Sequence, residues 1–233
     1  MKIGICIVDY GKKEYIDKCI ESFGQLPDEF ELETFDCNKE NIGFTRGNNE
    51  LITKFLTKDV DWVWLLNNDT TVPSYTIANI LEILPTVDPQ IGVIGFKILS
   101  MSQPDLIHHA GTVECFPAGI HKSGSDKLKQ FRKVTNEKWV TFASVLIRAN
   151  TFKCVGLLDS QMFNFFSDSD FCYRARYNGW KVIYHPRFVV FHVIGQSQNP
   201  TSAQLGILNN DSLVFQNKYI NGKMFFDLDK ELV

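Results

Sequence analysis

The sequence predicts an α/β fold, a mostly parallel central sheet with helices on both faces. Three observations lead there. Apolar, β-rich runs recur as Ile3–Val8, Trp62–Leu66 and Ile91–Leu99, each the length of a strand covered on both sides. Stretches of helical periodicity lie between them, and alternating strand and helix is the pattern of βαβ units. The runs give way to carboxylates and amides, as at Asp9 and at Asn67-Asn68-Asp69, and open α/β sheets gather ligands where strands reach their carboxyl ends.

The first helix is expected in KKEYIDKCIESF, where Tyr15, Ile16, Cys19, Ile20 and Phe23 fall on one stripe. A short strand in ELETFD ends at Asp36. ENIGFTRGNNELITKFL opens as a Gly/Asn loop and continues as a helix, DWVWLL is the next strand, and the chain turns through Val72 and Pro73 into a helix over Tyr75–Leu84. Residues 101–134 carry many turn signals and a basic run, Lys122 to Lys133, which reads as a loop-rich insertion or a small antiparallel element. A solvated loop is the plain reading of that run, an approach to anionic lipid the sharper one. WVTFASVLI (139–147) resumes as a strand and runs into a helix near Asn150. A further helix around Phe171–Tyr177 stops at Asn178-Gly179. WKVIYHPRFVVFHV supplies one or two strands divided at Pro186, and the last thirty residues read as partly helical.

The 233 residues, 44% of them hydrophobic, are enough for one large domain or two small ones. A formal net charge of −3 argues against broad nucleic-acid binding. No apolar stretch reaches the roughly 18 residues of a membrane-spanning helix, and KIGICIVDY turns polar too soon for a secretory signal, so a cytoplasmic protein is expected. The six cysteines are widely spaced without a CxxC pair, which favours free, mostly buried thiols.

Several polar residues invite a chemical reading beside a structural one. Asp69, just past the WVWLL strand, can hold a divalent ion that also binds a diphosphate, with Asn67 and Asn68 as neutral partners. It can equally cap a turn. Asp168, Ser169 and Asp170 stand at a helix start, which alone accounts for acidic residues there, and Asp170 and Arg174 have the spacing of a helical ion pair. Yet they follow the aromatic FNFF, where a carboxylate shielded from water can accept a proton from a hydroxyl. Asp9-Tyr10 and Asp36 end strands and suit a base pocket, or simple turns. Asn41, Arg46 and Asn49, in NIGFTRGNN, suit ribose or phosphate contacts, although the spacing is that of neither GxGxxG nor a P-loop. The histidines form no HExxH pair. His192, at the end of the FVVF run, can join the same metal or the diphosphate, while His108 and His109 stay undecided between structural and acceptor-facing roles.

Taken in order, NIGFTRGNN (41–49), WLLNNDTTVP (64–73), IGVIGFKI (91–98), SDSDFCYRARYNGWKVIYHP (167–186) and FHVIGQS (191–197) resemble the family 2 glycosyltransferases, and among them the bacterial rhamnosyltransferase-like branch with a GT-A fold. The resemblance covers about residues 3 to 200. It implies a single domain over 1–233, with 1–99 as the nucleotide-sugar half, 100–200 as the acceptor and catalytic half, and 201–233 as a tail packed on them. It aligns Asn67-Asn68-Asp69 with the family's metal motif, so Asp69 would hold Mg²⁺ or Mn²⁺ against the donor's diphosphate and His192 would stand beside it. Asp168 aligns with the expected general base. Asp36 falls in the nucleotide pocket, Arg46 lies near the donor, and Arg174 and Arg176 lie on the helix that supports the acidic loop.

Two departures stand out. The usual loop after the second strand is shortened, with Phe35-Asp36-Cys37-Asn38 running almost at once into Glu40-Asn41-Ile42. Ser167 replaces the glutamate beside the base, and the loss of like-charge repulsion implies a lower pKa for Asp168. A milder change puts Asp9-Tyr10 where the family has an asparagine before the aromatic residue.

The implied reaction is inverting, metal-dependent transfer of a sugar from a UDP- or dTDP-linked donor to a hydroxyl of a saccharide or lipid-linked saccharide. Its setting would be cell-surface polysaccharide synthesis, with a peripheral contact at the inner membrane face. A non-catalytic carbohydrate or nucleotide-sugar-binding module is one alternative. A sugar nucleotidyltransferase is another, but IVDYGKKEY lacks the expected Gly-rich triphosphate loop.

Overall fold

The computed structural model describes residues 1–113, 120–193 and 201–221. In chain order its principal elements are β1 (Ile3–Asp9), α1 (Lys13–Ser22), β2 (Phe30–Asp36), α2 (Gly43–Thr57), β3 (Trp62–Asn67), β4 (Thr70–Thr71), α3 (Ser74–Ile83) and β5 (Ile91–Ser100). Short strands follow: β6 (Leu106–His109), β7 (Thr112–Val113), β8 (Ile120–His121), β9 (Gly124–Ser125) and β10 (Thr135–Asn136). The chain closes with β11 (Ser144–Arg148), α4 (Ala149–Val155), α5 (Ser167–Tyr177), β12 (Lys181–His192) and α6 (Ser202–Gln216), which runs into a π-helical turn over Asn217–Asn221.

The strands alternate their side chains between two cores, as the period of two requires. On β1, Ile3, Ile5 and Ile7 join Trp62, Trp64 and Leu66 of β3 in one cluster with Ile16, Cys19 and Ile77, from α1 and α3. Cys6, Val63 and Leu65 point the other way, into a cluster with Leu51 and Phe55 of α2, Phe152 of α4 and Phe171 of α5. The α1 stripe is narrower than its spacing suggests: Ile16, Cys19 and Phe23 are buried, but Ile20 is exposed. Helices therefore do cover both faces. Of the cysteines described, Cys6, Cys19, Cys37 and Cys172 are buried free thiols and Cys154 is an exposed one.

The expectation of a mostly parallel sheet is overturned. The main sheet runs β10-β12-β5-β11-β3-β1-β2. Among the described residues only β1–β2, β1–β3 and β5–β12 pair in parallel. The other six pairings are antiparallel, so the sheet is mixed and mostly antiparallel. The cause lies after residue 100. The short connection from β5 to β6 makes a reversal, and β11 enters against the direction of both neighbours, wedged between β3 and β5. A run buried on both faces reads the same in either direction, so VTFASVLI carries no sign of this. Its strand is also shorter than expected, because Phe142 and Ala143 form a turn before β11 begins.

Two other elements differ in detail. The stretch divided at Pro186 is one strand with a shift of register against β5 between His185 and Val189; proline's missing N–H is tolerated at such an irregularity. α5 starts at Ser167, four residues earlier than Phe171. Residues 101–134 do build the small antiparallel element expected, with β6 pairing β5 and β9. Their basic run is partly neutralised, Lys122 by Glu137 and Arg132 by Asp126.

Packing against β1 is tight at Gly4, where a Cβ would lie 2.4 Å from the Phe55 ring. Gly4→Ala is expected to destabilise the fold by about 1–3 kcal/mol through overpacking, read as a lower midpoint in urea. Phe55→Leu in the same chain should return part of the loss.

Candidate active site

The carboxyl ends of β1, β2 and β3 lie side by side, since Asp9 pairs with Asp36 in register and Val8 with Asn67. β12 reaches the same edge by another route. The two-residue β4 pairs antiparallel with it, Thr70 opposite His192 and Thr71 opposite Phe191, and Val193 N–H donates to the Asp69 carbonyl at 3.0 Å. Residues 120 apart in sequence are thereby fixed as neighbours. His192 Nε2 lies 3.0 Å from Asp69 Oδ1 and 3.5 Å from Asn67 Nδ2. The other ring nitrogen, Nδ1, is buried without a hydrogen-bond partner among the described residues.

The Asp69–His192 pair suits a hard or borderline divalent cation. One carboxylate oxygen and one imidazole nitrogen converge, a donor set acceptable to Mg²⁺ or Mn²⁺. No group of three or more metal-binding side chains occurs among the described residues. An ion held here would take its remaining ligands from water and substrate phosphates, the usual habit of Mg²⁺ in phosphate chemistry.

Beside this pair is an amide-rich corner. Asn68 Nδ2 donates to Asp9 Oδ1 at 3.1 Å and to the Tyr10 carbonyl at 2.9 Å, so Asn68 ties β3 to the loop after β1 and Asn67 turns towards His192. Asn38, which sequence reasoning passed over, is the hub of this corner. Its side chain approaches Asp9 Oδ2 at 3.2 Å and accepts from Gly11 N–H at 2.9 Å, and its own N–H donates to Asp36 Oδ1 at 2.9 Å. The available signal was its position two residues past a strand-ending aspartate, an Asx-turn spacing. Tyr10 is 56% exposed, leaving its ring free to stack.

The loop residues divide. Asn41 accepts from Gly43 N–H at 3.1 Å, and Arg46 is exposed on the first turn of α2. Asn49 is engaged elsewhere: it exchanges two hydrogen bonds with the Leu158 backbone, at 2.9 and 3.0 Å. That places it under the loop before α5, away from the Asp9–Asn38 corner.

Asp168 sits in the first turn of α5. It is joined to the end of β3 through the turn before β11. Asn67 N–H donates to the Ala143 carbonyl at 2.9 Å, and the backbone of Phe142 is among the groups bonded to the Asp168 carboxyl. Burial pushes that carboxyl up to about 6, against the opposing pull of N–H groups from Ser169, Asp168 itself and Phe142. The expectation of a lowered pKa therefore fails, because removing a neighbouring charge matters less than removing water. Asp170 is fully buried and structural: it pairs with Arg174 Nε at 2.8 Å, the ion pair its spacing suggests. Arg174 also donates to the Val155 and Leu157 carbonyls.

The histidines hold a further surprise. His192, His108 and His121 form a stepped row with ring centroids 6.3 and 5.5 Å apart. The row ends at fully buried His109, whose Nδ1 is 2.8 Å from His121 Nδ1. Burial lowers His108, and with neighbouring imidazoles it drives His121 down to about 4 and His109 well below the ordinary imidazole value, so neutral rings extend inward from the His192 edge. The pairing of β7 with β8, with the bonds between Lys122 and the Ala110-Gly111 backbone, places His121 there. Gly195 and Ser197, from the stretch after His192, lie outside the described residues.

A family described as "Glycosyltransferase like family 2" matches residues 5–209. The chain belongs to that family. Solved structures similar to this family member include GalNAc-T7 with UDP, GalNAc and Mn²⁺, at 12% identity and a TM-score of 0.65, over 97% of this chain and 49% of that one. TarS of S. aureus (residues 1–349) gives 12% identity and 0.57, over 100% and 76%. The mannosyltransferase PcManGT of Pyrobaculum calidifontis, in complex with GDP-Man and Mn²⁺, gives 12% and 0.55, over 84% and 58%. These likenesses establish the GT-A fold, and the chain spans about half the length of the GalNAc-T7 structure. No curated protein matches the sequence. Among the described residues no helix is long and apolar enough to cross a membrane.

A buried carboxyl raised above its unfolded value adds stability while protonated and loses it as pH rises through the folded pKa. Asp168→Asn should therefore raise the melting temperature of the unliganded protein at pH 8. The gain should shrink through pH 6 and vanish near pH 4, as followed by thermal scans across that range.

Proposed function

We propose that the chain is an inverting, metal-dependent glycosyltransferase, moving a sugar from a nucleoside diphosphate sugar to an acceptor hydroxyl. The observation that carries this reading is the convergence of Asp69 and His192 at 3.0 Å on the sheet edge that also holds Asp9, Asp36 and Asn68. The family match and the nucleotides and Mn²⁺ named with two of the similar structures support it.

In this reading Asp69 and His192 bind Mg²⁺ or Mn²⁺, which when bound offsets the charge on the departing diphosphate. Asn67, in place of a second carboxylate, leaves more of that positive charge for the diphosphate. Asp9, Tyr10, Asp36 and Asn68 receive the nucleoside, with Asn41 and Arg46 at its phosphate or ribose side and Asn38 keeping Asp9 oriented. Asn49 is better read as a support for the loop ahead of α5. Asp168 accepts the acceptor's proton while the hydroxyl oxygen attacks the face of the anomeric carbon opposite the leaving group. A carboxyl lifted to about 6 is a stronger base than an ordinary aspartate and is still ionised at neutral pH.

The proposal extends to one domain over 1–233, a nucleotide-binding half in 1–99 and an acceptor half in 100–200. It further includes a rhamnosyltransferase-like donor choice, UDP- or dTDP-linked, and a saccharide or lipid-linked saccharide acceptor. A cytoplasmic location with peripheral membrane contact completes it.

Calorimetry with UDP, dTDP and GDP, with and without Mn²⁺, followed by a donor panel, tests the reading. Asp69→Ala should abolish metal-dependent nucleotide binding. Asp168→Asn should bind nucleotide within about twofold of wild type but lose roughly 10²–10⁴ in turnover; near-normal transfer by this variant removes Asp168 as the base. Tight binding without transfer or donor hydrolysis would instead identify a binding module. In wild type, kcat/KM should fall about tenfold per pH unit below about 6, as Asp168 takes up its proton.

A further inference from the structure

α6 is a largely exposed helix, capped at its start by a Thr201–Gln204 box. Only Asp211 and Phe215 of its fifteen residues are buried. They are four apart, so they share a face, and both meet the loop that leads into α5. The Asp211 carboxylate, wholly buried, accepts three successive backbone N–H groups, from Phe163 at 2.9 Å and from Asn164 and Phe165 at 2.8 and 2.9 Å. Phe215 stacks on Phe166 with ring centroids 5.2 Å apart. One turn further, Tyr219 O–H donates to Asp170 Oδ1 at 2.7 Å, and Lys218 pairs with both Asp170 and Asp159. A single stripe of the C-terminal helix thus holds the chain immediately before Asp168 and immediately after it.

The loop needs such an external hold. Phe166 adopts a left-handed φ of 63° at the N-cap of α5 and provides no side-chain cap. A non-glycine residue in that region is strained and persists only where its surroundings enforce it. On the opposite side the Phe163 carbonyl accepts from Thr45 N–H at 3.2 Å. Residue 163 is therefore gripped through its N–H by α6 and through its carbonyl by α2. No cation pairs with Asp211 among the described residues; its charge is met by the three N–H groups, and a carboxylate is the side chain best able to accept all three.

We propose that Asp211 is a positioning residue for transfer, orienting Asp168 by fixing the 163–166 loop against α6. This rests on the reading of Asp168 as the base. The test is Asp211→Asn, whose amide retains one acceptor oxygen and turns an N–H₂ towards the loop. Expected are a fall in kcat of at least tenfold, a donor KM and Mn²⁺-dependent UDP affinity within twofold, and a shifted midpoint of the acid limb of the pH profile. Amide exchange at residues 163–165 should quicken. A fall in kcat explained wholly by unfolded protein, with the pH midpoint unmoved, overturns the proposal, as does wild-type kcat.

Exchange separates this idea from the assignment of the base. Unchanged protection at 163–165 in D211N defeats the clamp, whatever residue is the base. Faster exchange together with a fully active D168N defeats the base and with it the catalytic role given to Asp211. Should D211N fail to fold, Tyr219→Phe removes the bond to Asp170 and should lower kcat in the same sense with donor KM unchanged; an unaltered kcat there counts against the stripe.

Discussion

The pairing of β4 with β12 is the constraint from which the site follows. Two residues of strand, Thr70 and Thr71, bond to the last two of a strand that ends 120 residues later. That ladder, with the bond from Val193 to the Asp69 carbonyl, brings the two chain segments together where Asp69 and His192 meet at 3.0 Å. Backbone hydrogen bonds inside a sheet are kept because breaking them strands buried polar groups. The site therefore borrows its rigidity from the sheet rather than from its own side chains, several of which are only half-buried.

A second constraint is the antiparallel strand at the centre. β11 has no helical crossover leading into it; the turn at Phe142 and Ala143 delivers it instead. That turn touches the end of β3 through Asn67 and the Asp168 carboxyl through its backbone. The reversal of one strand is what brings the end of β3 and the start of α5 to the same turn.

Much of this was legible in the sequence. Strand and helix boundaries in the first hundred residues follow from apolar runs and their polar terminators, and the positions of Asp9, Asp36 and Asp69 at one edge follow from strand order. Strand direction was not legible, since the Val145-Leu146-Ile147 centre of β11 is apolar on both faces and encodes no direction of the chain. Nor was the basicity of Asp168, because the local text shows the missing glutamate but not the desolvation that outweighs it. The row of His108, His121 and His109 depends on the β7–β8 pairing and on register shifts that no spacing announces. Asp211 stands among Asn209, Asn210 and Ser212, where a carboxylate reads as solvated; only its three backbone partners, nearly fifty residues upstream, give it meaning.

Gly43 has a bearing on how such a chain can change. It opens α2 with φ +84°, and a Cβ there would lie 2.6 Å from the Phe163 carbonyl and 2.9 Å from its ring. Asn49, two turns along the same helix, is bonded to Leu158. Residues that a division near position 99 would assign to separate halves are thus interlocked at two points. Exchange of segments across that division between related chains would succeed only where the recipient's loop had the same relief for that glycine, so the two stretches are not free to be recombined independently.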